Sequence, residues 1–390
     1  MLIIKLALKN ILGAGLRTWL NVIALSFSFV AIIYMQGLYN GMSDQMEKIA
    51  IEAEYAGGQY WHSSYDPFDP LTLDDAHGKI PDNLHTLIDR GEAIPILIRA
   101  ASIYPNGRFQ NALLKGIPPD QKILSIPSGV LENGGTSIPA LIGGRMARST
   151  GLKKGDYLTV RWRDTNGTFD ADEFFISNIM KTDDSAIDNG QLWIPLEKMR
   201  EMMDMKGEAT IVVLKSGSRF AENAGGWNHK NLEFLMKDIR ALFLTKSIGG
   251  SIFYIILLLL AMLALFDTQI LSIFRRRKEM GTLMALGMTR GTLIQLFTLE
   301  GAIHSVLAAV AAAIYGIPLL TYSARTGFGL PESTDDFGLA IGNRIFPSFT
   351  GALVAGSILL VLTVTTIVSY LPARKIAKLE PTDALRGKMT

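Results

Sequence analysis

The sequence predicts an α-helical membrane protein with four transmembrane helices and a large mixed α/β extracytoplasmic domain between the first and second spans, a one-plus-three layout. Three observations lead there. Four long apolar runs occur, at residues 19–38, 248–273, 303–320 and 349–371. A polar insert, residues 41–247, separates the first run from the other three. Lysine and arginine gather beside the runs instead of forming one extended stripe. The mean hydropathy of +0.25, with 48% hydrophobic and 19% charged residues, is high for a soluble chain.

Each run matches the thickness of a membrane, whose hydrocarbon core of about 30 Å takes roughly 20 helical residues. Run 349–371 carries no charge, run 248–273 contains only Asp267, and run 303–320 is apolar apart from His304. The first run is more polar, with Asn21, Ser26, Ser28 and Gln36, but residues 22–35 carry no charge. Trp19 and Tyr39 suit the aromatic belt at its two ends. A secretory signal peptide is the competing reading. The long preceding stretch and the absence of a small-residue cleavage pattern after Leu38 favour an uncleaved signal anchor.

Orientation follows from the basic residues. Lys5, Lys9 and Arg17 precede the first span, Arg275, Arg276, Arg277, Lys278 and Arg290 lie between the second and third, and Arg374, Lys375, Lys378, Arg386 and Lys388 follow the fourth. By the positive-inside rule these sides are cytoplasmic. The connection after the third span has Arg325 and Arg344 against Glu332, Asp335 and Asp336, and is placed outside. The expected division is a cytoplasmic N-terminal segment (1–18), first span (19–40), extracytoplasmic domain (41–247), second span (248–274), cytoplasmic connection (275–292), third span (293–322), short outer loop (323–347), fourth span (348–371) and cytoplasmic tail (372–390).

The insert reads as a folded domain. Strand-like stretches at 94–104, 157–162, 174–180 and 210–214 alternate with Gly, Asn, Asp and Pro clusters, and a polar helical stretch at 231–243 leads toward the second span. With no cysteine, the chain forms no disulfide and no thiolate metal site, so this domain folds by core burial alone.

Catalytic patterns are scarce. There is no phosphate-loop motif, no His-Glu-x-x-His and no Gly-x-Ser-x-Gly, and AGGQ at residues 56–59 reads as a glycine turn. His62, His77, His85, His229 and His304 show no close metal-ligand spacing. A net charge of +2 argues against nucleic acid as a partner. The chain is not expected to be an enzyme.

The most informative segment joins the second and third spans. Residues 279–286 are long enough for about two helical turns, Gly287 can end them, and Thr289 can cap the next helix. By itself this is a basic loop that sets topology and touches anionic lipid. Asp267, about two turns before Arg275, is expected near the inner interface, paired with a basic side chain. His304 stands one turn after Glu300 and can bond it. The small residues from Ala308 to Gly316 allow close helix packing.

Three segments resemble the MacB/FtsX-type ABC transporter permeases: RRKEMGTLMALGMTRGTLIQLFTLEG (276–301), the closing YLPARKIAKLEPTDALRG (370–387), and ALKNILGAGLRTWL (7–20), similar to the family's amphipathic segment before the first span. Within the superfamily, LLKGIPPDQ (113–121) and IGGRMARSTGLKKGDYLTV (142–160) resemble the lipoprotein-releasing LolC/LolE branch. The resemblance implies a permease subunit of a bacterial inner membrane, with both termini cytoplasmic. It implies pairing with a second permease, identical or paralogous, and with a dimeric cytoplasmic ABC ATPase that binds ATP and Mg²⁺; no cofactor and no metal are expected in this chain.

The same resemblance makes residues 279–286 a coupling helix seated on the ATPase. Glu279 would face a basic residue of the partner, Met280, Leu283, Met284 and Leu286 would anchor the interface, and Gly281 and Gly287 complete the segment; the alternative for the apolar four is packing beneath the chain's own helices. Glu300 would anchor the third span to the cytoplasmic segment. By analogy with lipoprotein-releasing relatives, Ile23, Phe27, Phe29, Val30, Ile33 and Tyr34 with Phe253, Ile256, Leu257 and Leu260 are candidate cargo-lining residues, and a lipoprotein cargo and a periplasmic carrier are candidate partners. Two further family activities stand as alternatives: MacB-like efflux of drugs or peptides, and FtsX-like transmission of force to an external cell-wall hydrolase.

Overall fold

The computed structural model describes residues 6–7, 10–11, 15–132, 137–180, 185–218, 223–329 and 344–376. Among them, four helices are long and apolar enough to cross a membrane. They are α1 (Leu16–Ala50), α5 (Lys237–Arg275), α7 (Arg290–Thr326) and α8 (Gly351–Ile376). Shorter helices α2 (Asp82–Asp89), α3 (Gly144–Thr150) and α4 (Leu196–Met203) lie in the insert with two single turns, Ser185–Asp188 and Leu232–Leu235, and α6 (Arg277–Ala285) joins α5 to α7. The chain divides into two compact units, one built on the long helices and one on Ser43–Ala241.

In the helical unit, Val22, Leu25, Phe29 and Ile32 of α1 meet Leu258, Met262 and Leu265 of α5, Ala308 and Ala312 of α7, and Val361 of α8. Close approach relies on small residues, because lipid tails are as apolar as leucine and helix association must come from tight packing. A Cβ placed on Gly301 would lie within 1.8 Å of Ser369 Oγ, and one on Gly250 within 2.4 Å of the Tyr39 hydroxyl. Ala308 and Gly316, expected to allow such contacts, are buried.

The second unit is organised by β1 (Gln59–His62), β2 (Gly78–Lys79), β3 (Ala93–Ile103), β4 (Gln110–Ile117), β5 (Ile138–Gly143), β6 (Tyr157–Arg163), β7 (Phe169–Met180), β8 (Gln191–Pro195), β9 (Glu208–Ala209), β10 (Ile211–Leu214), β11 (Asn223–Ala224) and β12 (Trp227–Lys230). Strands β3, β4, β8, β5, β7 and β6 pair in that order, and β6 pairs back onto β3, so six strands close into a barrel. Pairs β4–β8 and β5–β7 are parallel and the others antiparallel. The period of two along a strand fills its interior: in β6, Leu158, Val160 and Trp162 are buried while Tyr157, Thr159, Arg161 and Arg163 are exposed. Leu97, Ile103, Leu114, Ile142, Phe174, Ile176 and Leu192 complete that core. Strands β10, β1, β12 and β11 extend from the other end of β3 as an arm. A second core, with Ile94, Ile96 and Ile98 of β3, packs with Ile211 and Val213 of β10 and Trp193 of β8.

The ends of the insert are helical. α1 is 35 residues long and α5 is 39, about 52 Å and 58 Å at 1.5 Å per residue, well beyond a hydrocarbon core of about 30 Å. The polar stretch at 231–243 divides: Asn231 accepts a hydrogen bond from the Phe234 N–H and caps one turn, Leu232–Leu235, and α5 begins at Lys237. The Gly249-Gly250 pair does not interrupt α5, although each glycine costs about 1 kcal/mol relative to alanine; Tyr39 covers the second of them. α1 ends in a π-turn, Ile51–Tyr55. There Glu54 Oε1 lies 3.3 Å from Nζ of Lys115, a buried lysine of β4. One turn before, both Glu47 carboxylate oxygens accept from Arg240, Oε1 from Nε at 3.0 Å and Oε2 from Nη2 at 2.7 Å.

Gly301→Ala is expected to lower the melting temperature in detergent by several degrees, the added methyl costing about 1–3 kcal/mol of overpacking. Adding Ser369→Gly to the same chain should recover part of the loss; an unchanged melt in the single variant would refute the contact.

Candidate functional site

The segment between α5 and α7 is short, and its ends are set by local chemistry. α6 starts directly after α5, with Arg276 (φ −96, ψ 15) as the break between them. It ends at Leu286, and Gly287 follows at φ +97, a left-handed conformation that side chains disfavour. Thr289 then caps α7, its Oγ1 accepting from the Thr292 N–H at 3.2 Å. One face of α6 is held down: Met280 is buried among Ile273, Leu293, Phe297 and Ala373, with Met284 packed against them. The opposite face carries Leu286, 79% exposed.

Arg276 occupies the corner. Its Nη1 donates to Glu300 Oε1 at 3.0 Å, its Nε to Glu279 Oε2 at 3.0 Å, and its guanidinium carbon lies 5.6 Å from the centre of the Phe297 ring. Burial disfavours the charge on Arg276, yet Glu300 and Glu279 outweigh it and hold its pKa above the ordinary arginine value. Glu300 Oε1 also accepts from Asn10 Nδ2 at 2.7 Å. One carboxylate, 4% exposed, therefore joins the N-terminal segment, the α5–α6 corner and α7. Beside it a cleft of about 590 Å³ is lined by Asn10, Leu265, Gln269, Arg275, Arg276, Glu279, Glu300 and His304 among others.

Several expected roles change. Asp267 is exposed and forms no ion pair among the described residues; the eight residues to Arg275 amount to about 12 Å of helical rise, too far for a contact along one helix. His304 Nδ1 bonds the backbone carbonyl of Glu300 at 2.7 Å, not its carboxylate, which is turned toward Asn10 and Arg276. Glu279 rests on the chain's own Arg276. Of the four apolar anchors, Met280 is committed to the chain's own core and Met284 packs on it, Leu283 is partly covered, and Leu286 is free. Gly281 is buried.

The candidate lining residues divide in the same way. Ile23, Phe27, Phe253, Ile256 and Leu260 are at least half exposed, and Tyr34 and Leu257 are partly covered. Phe29, Val30 and Ile33 are 1%, 6% and 7% exposed; they face the helical core and line no outer surface. Residues 377–390, with most of the C-terminal signature, lie outside the described residues. Sequence reasoning passed over Asn10, Gln269 and the role of Arg276. A basic run reads as one feature, and nothing in it distinguishes the arginine that turns inward.

The long-helix unit has the length and apolarity of membrane-spanning helices, with a capped helix–turn–helix at the end of α5, and comparison with known proteins adds what the chain is similar to. Residues 251–381 match the FtsX-like permease C-terminal family. The chain is 27% identical over 221 residues to the macrolide export ATP-binding/permease protein MacB of Sodalis glossinidius, covering 52% of this chain and 31% of that protein. It is 24% identical over 327 residues to the lipoprotein-releasing system transmembrane protein LolC of Xylella fastidiosa, covering 74% of this chain and 76% of that one. The solved extracellular domain of the ABC-type transporter YknZ overlaps 41% of this chain at 12% identity and a TM-score of 0.25. Residues 251–381 thus carry an FtsX-like permease C-terminal domain, and the chain is similar to permease proteins of the MacB and LolC kinds; it spans about a third of the length of the MacB relative.

Glu300→Ala leaves Arg276 half-buried with only Glu279 as a partner, and is expected to destabilise the helical unit by about 3 kcal/mol. Glu300→Gln, which keeps an acceptor for Asn10 and Arg276, should lose less. Thermal unfolding of the two variants side by side checks the order.

Proposed function

We propose that this chain is the membrane subunit of a mechanotransmission-type ABC transporter, in which a separate cytoplasmic ATPase dimer hydrolyses ATP with Mg²⁺ and drives movement of the extracytoplasmic domain. A second permease subunit, identical or paralogous, completes the assembly. The leading version releases lipoprotein, or another amphipathic cargo, from the outer leaflet of a bacterial inner membrane to a periplasmic carrier, with both termini of this chain cytoplasmic.

The observation that carries this reading is the continuity of α5. One helix without a break runs from Arg240, which grips Glu47 of α1, to Arg275, where α6 begins. A push on α6 enters a rod about 58 Å long instead of a loop that would absorb it. α6 suits a docking element: its inner face is packed, Arg276 pins its start to Glu300, and Leu286 is presented outward. An exposed leucine on a rigid, buried base is the form of an interface anchor. Ile23, Phe27, Phe253, Ile256 and Leu260 provide an apolar surface that suits acyl chains.

The lipoprotein version is preferred because the likeness to LolC runs through 327 residues, and so takes in much of the insert. MacB-like efflux rests on the higher identity of the shorter match. An FtsX-like transmitter rests on the C-terminal domain alone.

Leu286→Asp is expected to weaken ATPase binding at least tenfold, about 1.4 kcal/mol, with no change in the melting temperature of this chain. Pull-down of the ATPase and a thermal melt separate docking from folding, and undiminished binding would remove α6 from the interface. Topology is tested separately: a single cysteine at exposed Asn166 should react with an impermeant thiol reagent added outside intact inner-membrane cells, and labelling only after lysis would reverse the orientation.

A further inference from the structure

The cleft beside Glu300 has features that closing a helix bundle does not require. Gln269 is 4% exposed, and its Oε1 has no hydrogen-bond partner among the described residues. An acceptor buried in this way forfeits its hydration without return unless a donor reaches it. Among the described residues, both hydrogen bonds to the Glu300 carboxylate fall on Oε1. Arg275, one turn beyond Ser272 on the same wall, has no partner among the described residues. The lining therefore asks for an N–H donor at its inner end and an anionic acceptor at its mouth.

Charge and polarity narrow the ligand. Among the described lining residues, Arg275 and Arg276 balance Glu279 and Glu300 in formal charge. A neutral pair of opposite poles accepts a zwitterion better than a net anion, whose extra charge would face two carboxylates. Leu6, Ile11, Leu265 and Leu271 add apolar surface beside the hydroxyls of Thr18, Thr268 and Ser272. The cleft also sits where the apolar run of α5 meets its terminal arginines, the depth at which headgroups lie.

We propose that this cleft binds one ethanolamine phospholipid, its ammonium donating to Gln269 Oε1 and the Glu300 side, its phosphate taken by Arg275, and its acyl chains leaving along Leu265 and Leu271. A choline headgroup has no N–H to donate to Gln269. A glycerol headgroup leaves the phosphate charge unbalanced. Assigning the lipid to the cytoplasmic leaflet rests on the orientation proposed above; the binding itself does not.

The test is native mass spectrometry of the full chain, purified in detergent and given equal amounts of phosphatidylethanolamine, phosphatidylcholine and phosphatidylglycerol with identical acyl chains. The expected result is retention of the ethanolamine lipid at least threefold above either of the others. Gln269→Leu should abolish that preference, Gln269→Glu should keep it, and Arg275→Ala, at an exposed position, should lower retention of all three lipids. Soluble glycerophosphoethanolamine at the same concentration should not displace the lipid; displacement would assign the site to a free headgroup metabolite and overturn the proposal. Equal retention of the three lipids, or a preference that survives Gln269→Leu, would overturn it as well. No ATPase is present in this measurement, so its outcome is independent of whether α6 docks one.

Discussion

The bond between Arg276 and Glu300 fixes the geometry of the end of the helical unit where α5 meets α6. A carboxylate that is 4% exposed must be compensated where it stands, because an unpaired charge there would cost several kcal/mol. Arg276 supplies the charge, Asn10 a second donor, and the Phe297 ring a face for the guanidinium. Those partners belong to separate stretches of chain, so satisfying one buried group sets the angle between α5 and α6, the placement of α7 and the seat of the N-terminal segment. Met280 then falls into the apolar corner behind the pair and Leu286 is left on the surface. The exposed face of α6 is a by-product of how Arg276 is held.

The second constraint is length. A helix that exceeds the membrane by twenty-odd ångströms has its excess in water, where helix stability depends on packing and side-chain pairing. α1 and α5 meet this need with the two-pronged contact of Glu47 and Arg240, and α1 also ends on the buried Lys115 of β4 through Glu54. Gly250, the second of two glycines where the apolar run of α5 begins, is covered by Tyr39. Both long helices are therefore braced at the positions where their apolar runs have ended.

Much of this was legible in the residues. The four apolar runs are helices, and the strand-like stretches at 94–104, 157–162 and 210–214 are strands, because period and run length are local properties. The turn at Gly287 and the cap at Thr289 were readable for the same reason. Hidden from the sequence were the pairings across large separations: Asn10 with Glu300, Arg276 with Glu300, and the return of β6 onto β3 that closes the barrel. The inward turn of Phe29, Val30 and Ile33 was equally invisible, since an apolar helix in lipid carries apolar residues on every face and periodicity no longer tells core from surface. Asp267 is exposed and unpaired among the described residues because about 12 Å of helical rise separates it from Arg275, a distance that nearness in sequence does not reveal.

Strand β3 belongs to two structures at once. Its residues 97–103 form part of the barrel wall, while residues 93–96 pair with β10 in the arm. Leu97, Ala101 and Ile103 face one core, and Ile94, Ile96 and Ile98 the other. A slip of one residue would exchange the two sets and spoil both cores together. The strand thus acts as a common ruler: neither half can settle in a wrong alignment while the other remains correct. For a domain that has no disulfide to lock a finished fold, this is proofreading built into a single stretch of backbone.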